Sequence, residues 1–226
     1  MRCVAPGNLP YALPVPFPLS RLAMNTESAD RNARHTARMA RKKALIDAAI
    51  DAATDERGLL LVITGNGKGK STSAFGTMAR ALGHGMKIGV VQFIKSRTDT
   101  GEEAFLGSQP GVEWHVTGDG FTWDTQNREQ DIATAGRGWA IAARMLTDPS
   151  FNLVVLDELT YLLNDGYLDR DAVLDALAGR PPMQHVIVTG RAAPGALIEL
   201  ADTVSIIADE KHAFRAGVKA QPGIDL

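Results

Sequence analysis

The feature that most constrains the fold is a short apolar segment that runs directly into a glycine-rich turn and then into a helix. Leu59–Thr64 is a continuous apolar run with the length of a buried strand. Gly65–Thr72 follows at once and interleaves three glycines with two lysines. From Ser71 the apolar residues have helical spacing as far as Leu82, and Gly83 predicts the helix end. Strand, glycine-rich loop and helix in this order are the context that a phosphate-binding P-loop requires.

Each residue type in this loop suits a polyphosphate ligand. Glycines let backbone N–H groups turn toward phosphate oxygens, the helix N-terminus adds partial positive charge, and Lys70 adds a full one. Ser71 offers a hydroxyl ligand for Mg²⁺. The predicted nucleotide-binding residues are Gly65, Asn66, Gly67, Lys68, Gly69, Lys70, Ser71 and Thr72. A turn without a ligand needs one glycine rather than three. The usual G-x-x-x-x-G-K-[ST] spacing is not kept, because Thr64 stands five positions before Gly69 and the loop is therefore tighter.

The alternation of apolar strands with helices continues to the end of the chain. Further strands are predicted at Lys87–Ile94, Val112–Val116, Asn152–Leu156, His185–Thr189 and Thr203–Ile207, and helices at Arg128–Leu146, Asp169–Ala178 and Pro194–Leu200. This pattern predicts an α/β fold, a mostly parallel sheet with helices on both faces. In such sheets ligands bind at the carboxyl ends of the strands. We expect one domain over residues 58–226.

Two carboxylates, Asp157 and Glu158, follow the fourth predicted strand. Magnesium needs hard oxygen ligands opposite the phosphates, and either carboxylate could supply one directly or through water. Asp157 could instead, or in addition, cap the next helix. Arg191 follows the fifth predicted strand, where it either contacts the nucleotide or caps a helix with its charge outward. These residues predict a nucleoside triphosphate with Mg²⁺ and leave open a hydrolase or switch, a kinase, an enzyme that uses ATP differently, and a non-catalytic ATP-binding module.

Composition excludes several classes. The chain is 45% hydrophobic and 22% charged, which is typical of a globular domain and not of a disordered chain. With 24 Lys+Arg against 26 Asp+Glu the net charge is −2, so no global field attracts nucleic acid or an anionic membrane. Cys3 is the one cysteine, which excludes an intrachain disulfide and suits a reduced cytoplasm. No apolar run approaches the roughly 18 residues of a membrane span. We expect a cytoplasmic protein with neither nucleic-acid nor membrane partners.

The N-terminal part has a different character. Residues 1–23 hold five of the 11 prolines, which interrupt any signal-peptide core, and Met24 opens an ordinary polar start. We expect a disordered leader over residues 1–30, or a start codon placed too early. Residues 31–57 predict a basic helical arm with Leu45, Ile46 and Ile50 at helical spacing. The arm is either a solvated helix or a basic cover over an anionic ligand.

Phe121 and Trp123 stand two residues apart in the loop Gly118–Asp124. In most loops one such aromatic packs into the core. Here turn-forming residues precede the pair, which favours an exposed aromatic tip. In the case of a non-catalytic ATP-binding module, such a tip suits contact with a protein partner.

Five segments together, in this order, resemble the P-loop type of ATP:co(I)rrinoid adenosyltransferase. They are Gly65–Thr72, Gly118–Asp124, Leu156–Tyr161, Val188–Arg191 with Ala201 and Asp202, and the tail Lys211–Asp225. The resemblance covers about residues 30–226 and is specific, because a P-loop alone would not suggest it. Ser71 stands where threonine is commoner, and Pro222 and Leu226 depart from the family pattern in the tail.

The resemblance implies a RecA-like P-loop fold and a defined reaction. The 5′-deoxyadenosyl group of ATP moves to the Co(I) of a reduced corrinoid, and triphosphate leaves. The nucleotide lies in the loop with reversed polarity relative to ordinary P-loop enzymes. The family also implies Mg²⁺, a flavoprotein electron donor and a homodimer.

The same resemblance assigns roles to single residues. Lys70 is implied as catalytic at the departing triphosphate, together with Phe121 and Trp123. These two aromatics would occupy the lower axial face of cobalt with groups that cannot coordinate it. A four-coordinate cobalt is easier to reduce.

Overall fold

The computed structural model describes residues 20–94, 100–118 and 127–224, without the side chains of residues 20–28. Two units are distinguished within the chain, Met1–Asp55 and Glu56–Leu226. The predicted aromatic pair, Phe121 and Trp123, lies outside the described residues. None of the described helices is long and apolar enough to cross a membrane.

The first unit contains one long helix, α1, over Ser20–Ala52. It begins earlier than the predicted arm, so residues 20–30, which were predicted to belong to a disordered leader, are helical. The reason is local, because this segment contains neither proline nor glycine to interrupt a helix. Its described side chains are exposed, and Asp30–Arg34 and Lys43–Asp47 form ion pairs one turn apart.

The second unit alternates strands and helices as predicted. Its strands within the described residues are β1 Leu60–Thr64, β2 Ile88–Gln92, β3 Val112–Val116, β4 Leu153–Asp157, β5 His185–Thr189 and β6 Thr203–Ile206. Its helices are α2 Lys70–Gly83, α3 Gly101–Leu106, α4 Arg128–Thr147, α5 Leu159–Asn164, α6 Arg170–Ala178 and α7 Gly195–Leu200, followed by a 3₁₀ turn at Ala213–Ala216. α3 and α5 were not predicted; each spans fewer than two helical turns, which gives a periodic pattern little room to show.

The strands form one sheet in the order β3-β2-β4-β5-β1-β6, and every pairing is parallel. Val188 of β5 is the register partner of both Val62 in β1 and Leu156 in β4. The carboxyl ends of these three strands are therefore level with one another. The end of β5 consequently lies between the loop after β1 and the carboxylates after β4.

Helices cover both faces of the sheet, which confirms the predicted α/β class. On one face, strand residues such as Val62 and Leu156 pack in one cluster with α4 and α6, including Met145 and Leu177. On the other face, alternate strand residues such as Ile63, Val155 and Ile187 pack with Phe75 and Met78 of α2. Strands buried on both sides explain the continuous apolar runs in the sequence.

Candidate nucleotide-binding site

The loop between β1 and α2 lies directly against the end of β6. The Gly67 N–H donates to the Ile207 carbonyl at 2.9 Å. A Cβ on Gly67 would stand 2.2 Å from the Ala208 carbonyl oxygen, and one on Gly65 would stand 2.4 Å from that of Ile207. Gly65 also has a φ of +104°, a conformation that other residues rarely adopt. Close backbone approach therefore explains two of the three loop glycines.

The third loop glycine, Gly69, stands immediately before α2. It is the N-cap residue and has a left-handed conformation with φ 117°. Because glycine has no side chain, it cannot cap the N–H groups of the first helical turn. Those N–H groups and the positive end of the helix dipole remain directed at whatever anion occupies the loop.

Lys70 is the first residue of α2 and is 6% exposed. Its Nζ donates to the Gly67 carbonyl at 2.9 Å, so the side chain folds back along the loop. Burial lowers the pKa of Lys70 below its ordinary value of 10.5; Glu158 and Asp157 oppose this effect, whereas Arg191 adds to it. A buried cation whose charge is incompletely compensated favours an anionic ligand.

The two adjacent carboxylates after β4 have different surroundings. Asp157 is fully buried, and its Oδ1 and Oδ2 accept hydrogen bonds from Thr189 Oγ1 at 2.7 Å and Gln92 Nε2 at 2.9 Å. Glu158 is half-buried and has a left-handed backbone with φ 62°, which is uncommon for a residue other than glycine. Asp157 is not the N-cap of α5, because that position is Glu158.

Arg191 lies on a short loop after β5 that α5 holds in place. The Thr160 hydroxyl donates to the Arg191 carbonyl at 2.7 Å, and Asn164 Nδ2 donates to the next carbonyl, that of Ala192, at 3.0 Å. A Cβ on Gly190 would stand 2.0 Å from Thr160 Oγ1, so this turn requires glycine. The sequence left two roles open for Arg191, and its position on the cavity described next favours contact with the nucleotide.

A cavity of about 250 Å³ unites the loop with residues from four other parts of the chain. It is lined by Asn66, Gly67, Lys68, Gly69, Lys70, Ser71 and Thr72 together with Glu102, Glu158, Arg191, His212 and Ile224. The structure thus brings together Lys68, Lys70 and Arg191 as cations and Glu102 and Glu158 as carboxylates. Such a lining suits a polyphosphate that is accompanied by a divalent cation.

Asp157 was also predicted as a magnesium ligand, but it does not line this cavity. Three residues that line the cavity were not among the predicted binding residues, namely Glu102, His212 and Ile224. Glu102 lies in the first turn of α3, and His212 immediately precedes the 3₁₀ turn. Local spacing did not indicate that they would reach the loop, because only the folded chain brings them there.

The first residue of the aromatic loop Gly118–Asp124 is held by contacts with the chain at and just after the end of β2. The Thr117 N–H, just after β3, donates to the Gln92 carbonyl at the end of β2 at 2.9 Å. A Cβ on Gly118 would stand 2.5 Å from the Ile94 carbonyl oxygen, so the chain leaves the sheet in close contact with the residues after β2. The loop therefore departs from the same edge of the sheet that bears the cavity.

Comparison with known proteins identifies the family. The sequence model described as ATP:corrinoid adenosyltransferase BtuR/CobO/CobP matches residues 56–226, and one described as Cob(I)alamin adenosyltransferase N terminal matches residues 24–50. A corrinoid adenosyltransferase of Pseudomonas aeruginosa is 58% identical over 88% of this chain and 99% of its own length. Corrinoid adenosyltransferases of Escherichia coli K12 and Salmonella typhimurium are 54% and 52% identical, each over 85% of this chain and 97% of its own.

Among solved structures, the flagellar accessory protein FlaH from Methanocaldococcus jannaschii has a TM-score of 0.42 and 11% identity, over 67% of this chain and 71% of its own. That likeness is too distant to bear on function. The family model, in contrast, spans every residue that lines the cavity. The chain therefore belongs to the ATP:corrinoid adenosyltransferase BtuR/CobO/CobP family.

Proposed function

We propose that this protein transfers the 5′-deoxyadenosyl group of ATP to the Co(I) of a reduced corrinoid. The observation that carries the proposal is the family match over residues 56–226, which contain the whole polyphosphate cavity. In this reaction the electron pair of Co(I) forms the Co–C5′ bond. The C5′–O bond breaks, and its electron pair leaves with inorganic triphosphate.

The chain's own residues act mainly by positioning and by charge. Because cobalt is the nucleophile, neither a serine, cysteine or histidine nucleophile nor a base that activates water is required. Negative charge builds on the departing triphosphate, and preorganised donors close to it lower the barrier. The loop N–H groups, Lys68, Lys70 and Arg191 are suited to that role, because all of them contribute to one cavity.

The lining of this cavity suits Mg²⁺, which Ser71 and Glu158 would hold, with Glu102 as a further carboxylate. A bound Mg²⁺ neutralises part of the triphosphate charge. Magnesium in nucleotide sites is commonly held by one or two carboxylates together with substrate phosphates and water. Among the described residues, no three His, Cys, Asp or Glu side chains are grouped so that they could hold a metal. We assign Asp157 no direct contact with the metal, because its side chain is fully buried and does not line the cavity.

Phe121 and Trp123 are proposed to contact the corrinoid from below. Their aromatic rings cannot ligate cobalt, so they would displace an axial ligand and make Co(II) easier to reduce. A flavoprotein is the proposed electron donor, and a cytoplasmic homodimer is the proposed state of the enzyme. These assignments rest on the family resemblance.

One assay separates this function from a hydrolase, a kinase and an ATP-binding module. The protein is mixed with Mg-ATP and a chemically reduced corrinoid, the visible spectrum is followed, and the inorganic product is identified. We expect the chromophore of a cobalt–carbon bond to appear, and one triphosphate to be released for each such bond formed. Phosphate released without corrinoid would favour the hydrolase, a phosphorylated acceptor the kinase, and no turnover a binding module.

The aromatic pair has its own test within the same assay. Phe121→Ala and Trp123→Ala are each assayed with Co(II) corrinoid plus reductant and, as a control, with corrinoid already reduced to Co(I). We expect large losses with Co(II) and smaller losses with Co(I), because the second substrate bypasses the difficult reduction. Unchanged rates with Co(II) would exclude the proposed role.

A further inference from the structure

A buried chain of hydrogen bonds lies behind the cavity. It joins the carboxyl ends of β2, β4 and β5. Trp114 Nε1 donates to Gln92 Oε1 at 3.2 Å, and Gln92 Nε2 donates to Asp157 Oδ2 at 2.9 Å. Thr189 Oγ1 donates to Asp157 Oδ1 at 2.7 Å. The Thr189 oxygen in turn accepts the backbone N–H of Glu158 at 2.9 Å. Gln92, Asp157 and Thr189 are all within 1% of complete burial.

The chemistry of the groups fixes the direction of every hydrogen bond in this chain. An indole N–H can only donate, so the amide oxygen of Gln92 faces Trp114 and its NH₂ faces Asp157. An ionised carboxylate can only accept, so the Thr189 hydroxyl must give its proton to Asp157. A lone pair of that hydroxyl is then left for the Glu158 N–H. With Asp157 ionised, this is the one arrangement of donors that satisfies all five groups, the Glu158 N–H included.

The backbone conformation of Glu158 is the part of this region that requires stabilisation by its surroundings. Its φ of 62° and ψ of 23° lie in the left-handed region, at the junction between β4 and α5. This conformation places Glu158 on the cavity, while Asp157, one residue earlier, lies in the interior. Such a conformation persists only where its surroundings fix it. Thr189 is the residue whose hydroxyl contacts both Asp157 and the Glu158 backbone.

We infer that Thr189 is a positioning residue that holds the Glu158 carboxylate toward the metal-nucleotide, with Asp157 as its buried anchor. The inference rests on the proposed function in one respect, the presence of a divalent cation with ATP. Thr189 does not line the cavity, so it acts through Glu158. It also gives Asp157 a role different from that of a metal ligand.

The test compares Thr189→Val with Thr189→Ser. Valine keeps the shape but removes the hydroxyl, whereas serine keeps the hydroxyl. Mn²⁺ serves as the metal probe, and its affinity for the protein–ATP complex is measured by electron paramagnetic resonance. We expect Thr189→Val to weaken Mn²⁺ binding by about 10–100-fold, the usual effect of removing a partner of a metal ligand. We expect Thr189→Ser to restore most of that affinity.

Two further measurements separate positioning from general damage. ATP binding in the presence of EDTA, followed by calorimetry, should be nearly the same in Thr189→Val and in the unmodified protein. The double variant with Asp157→Asn should lose less Mn²⁺ affinity than the sum of the two single losses, because both changes break the same chain. If the valine variant does not fold, Thr189→Ala is used in its place.

Unchanged Mn²⁺ affinity in Thr189→Val would overturn the inference. Equal losses of Mn²⁺ binding and of metal-free ATP binding would also overturn it, because they would indicate a merely structural role. A failure of the proposed function would be recognised by a different result, because the unmodified protein would then form no cobalt–carbon product.

Discussion

Gly67 is the position where a single added methyl group tests the placement of the nucleotide loop. Its φ is not positive, so Gly67→Ala acts by steric conflict and not by backbone strain. The new Cβ would stand 2.2 Å from the Ala208 carbonyl oxygen and 2.8 Å from Ile207 Cγ2, whereas ordinary contact begins at 3.4 Å. Relief therefore requires a displacement of about 1 Å between the loop and the end of β6. A misplacement of this size costs about 100-fold in rate, or ~2.7 kcal/mol of transition-state stabilisation.

The assay is cobalt–carbon bond formation from pre-reduced corrinoid with ATP varied, together with thermal unfolding. We expect kcat/KM for ATP to fall by about 100-fold and the free energy of unfolding by about 1–3 kcal/mol. Gly136→Ala is the matched control, because nothing lies within 4 Å of its Cβ and Gly136 is exposed in the middle of α4. It should leave kcat/KM unchanged and add about 0.5–1 kcal/mol of stability. A Gly67→Ala enzyme with full kcat/KM and unaltered stability would refute the proposed packing of the loop.

Three further changes probe the cavity, the core and a helix end. Lys70→Met should lower kcat by about 10²–10³. Because burial lowers the pKa of Lys70 in the folded state, the unliganded variant should unfold at a higher temperature near neutral pH. The unfolded state binds more protons between the lowered pKa and 10.5, so the stability of the unmodified protein should rise with pH there and the difference should shrink; a constant difference would contradict this. Leu177→Ala removes a fully buried side chain and should cost about 2–5 kcal/mol in denaturant unfolding, with a loss below 1 kcal/mol counting against the core assignment. Asn127 accepts the Gln130 N–H at 3.2 Å as the N-cap of α4, and Asn127→Ala should cost about 0.5–2 kcal/mol, whereas Asn127→Ser should cost less.

The strands and long helices could be predicted because their signal is local. Strands buried on both faces are apolar at every position, so the runs around Val62 and Val155 stand out in the sequence. The phosphate loop could be predicted for a similar reason. Its glycines, Lys70 and Ser71 are contiguous, and their residue types already state the chemistry. Short helices carry little periodicity: of the three six-residue helices, α7 was predicted, whereas α3 and α5 were not.

By itself, the sequence determined the loop, the alternation of strands and helices, and the order in which the family motifs occur. Only the tertiary structure decided which of two neighbouring carboxylates lines the cavity. Asp157 and Glu158 are equivalent candidates in the sequence, but parallel pairing places Thr189 and Gln92 beside Asp157 and thereby keeps it in the interior. Glu102 and His212 joined the cavity for the same physical reason, since proximity between distant segments arises from strand order and register, which no local pattern encodes.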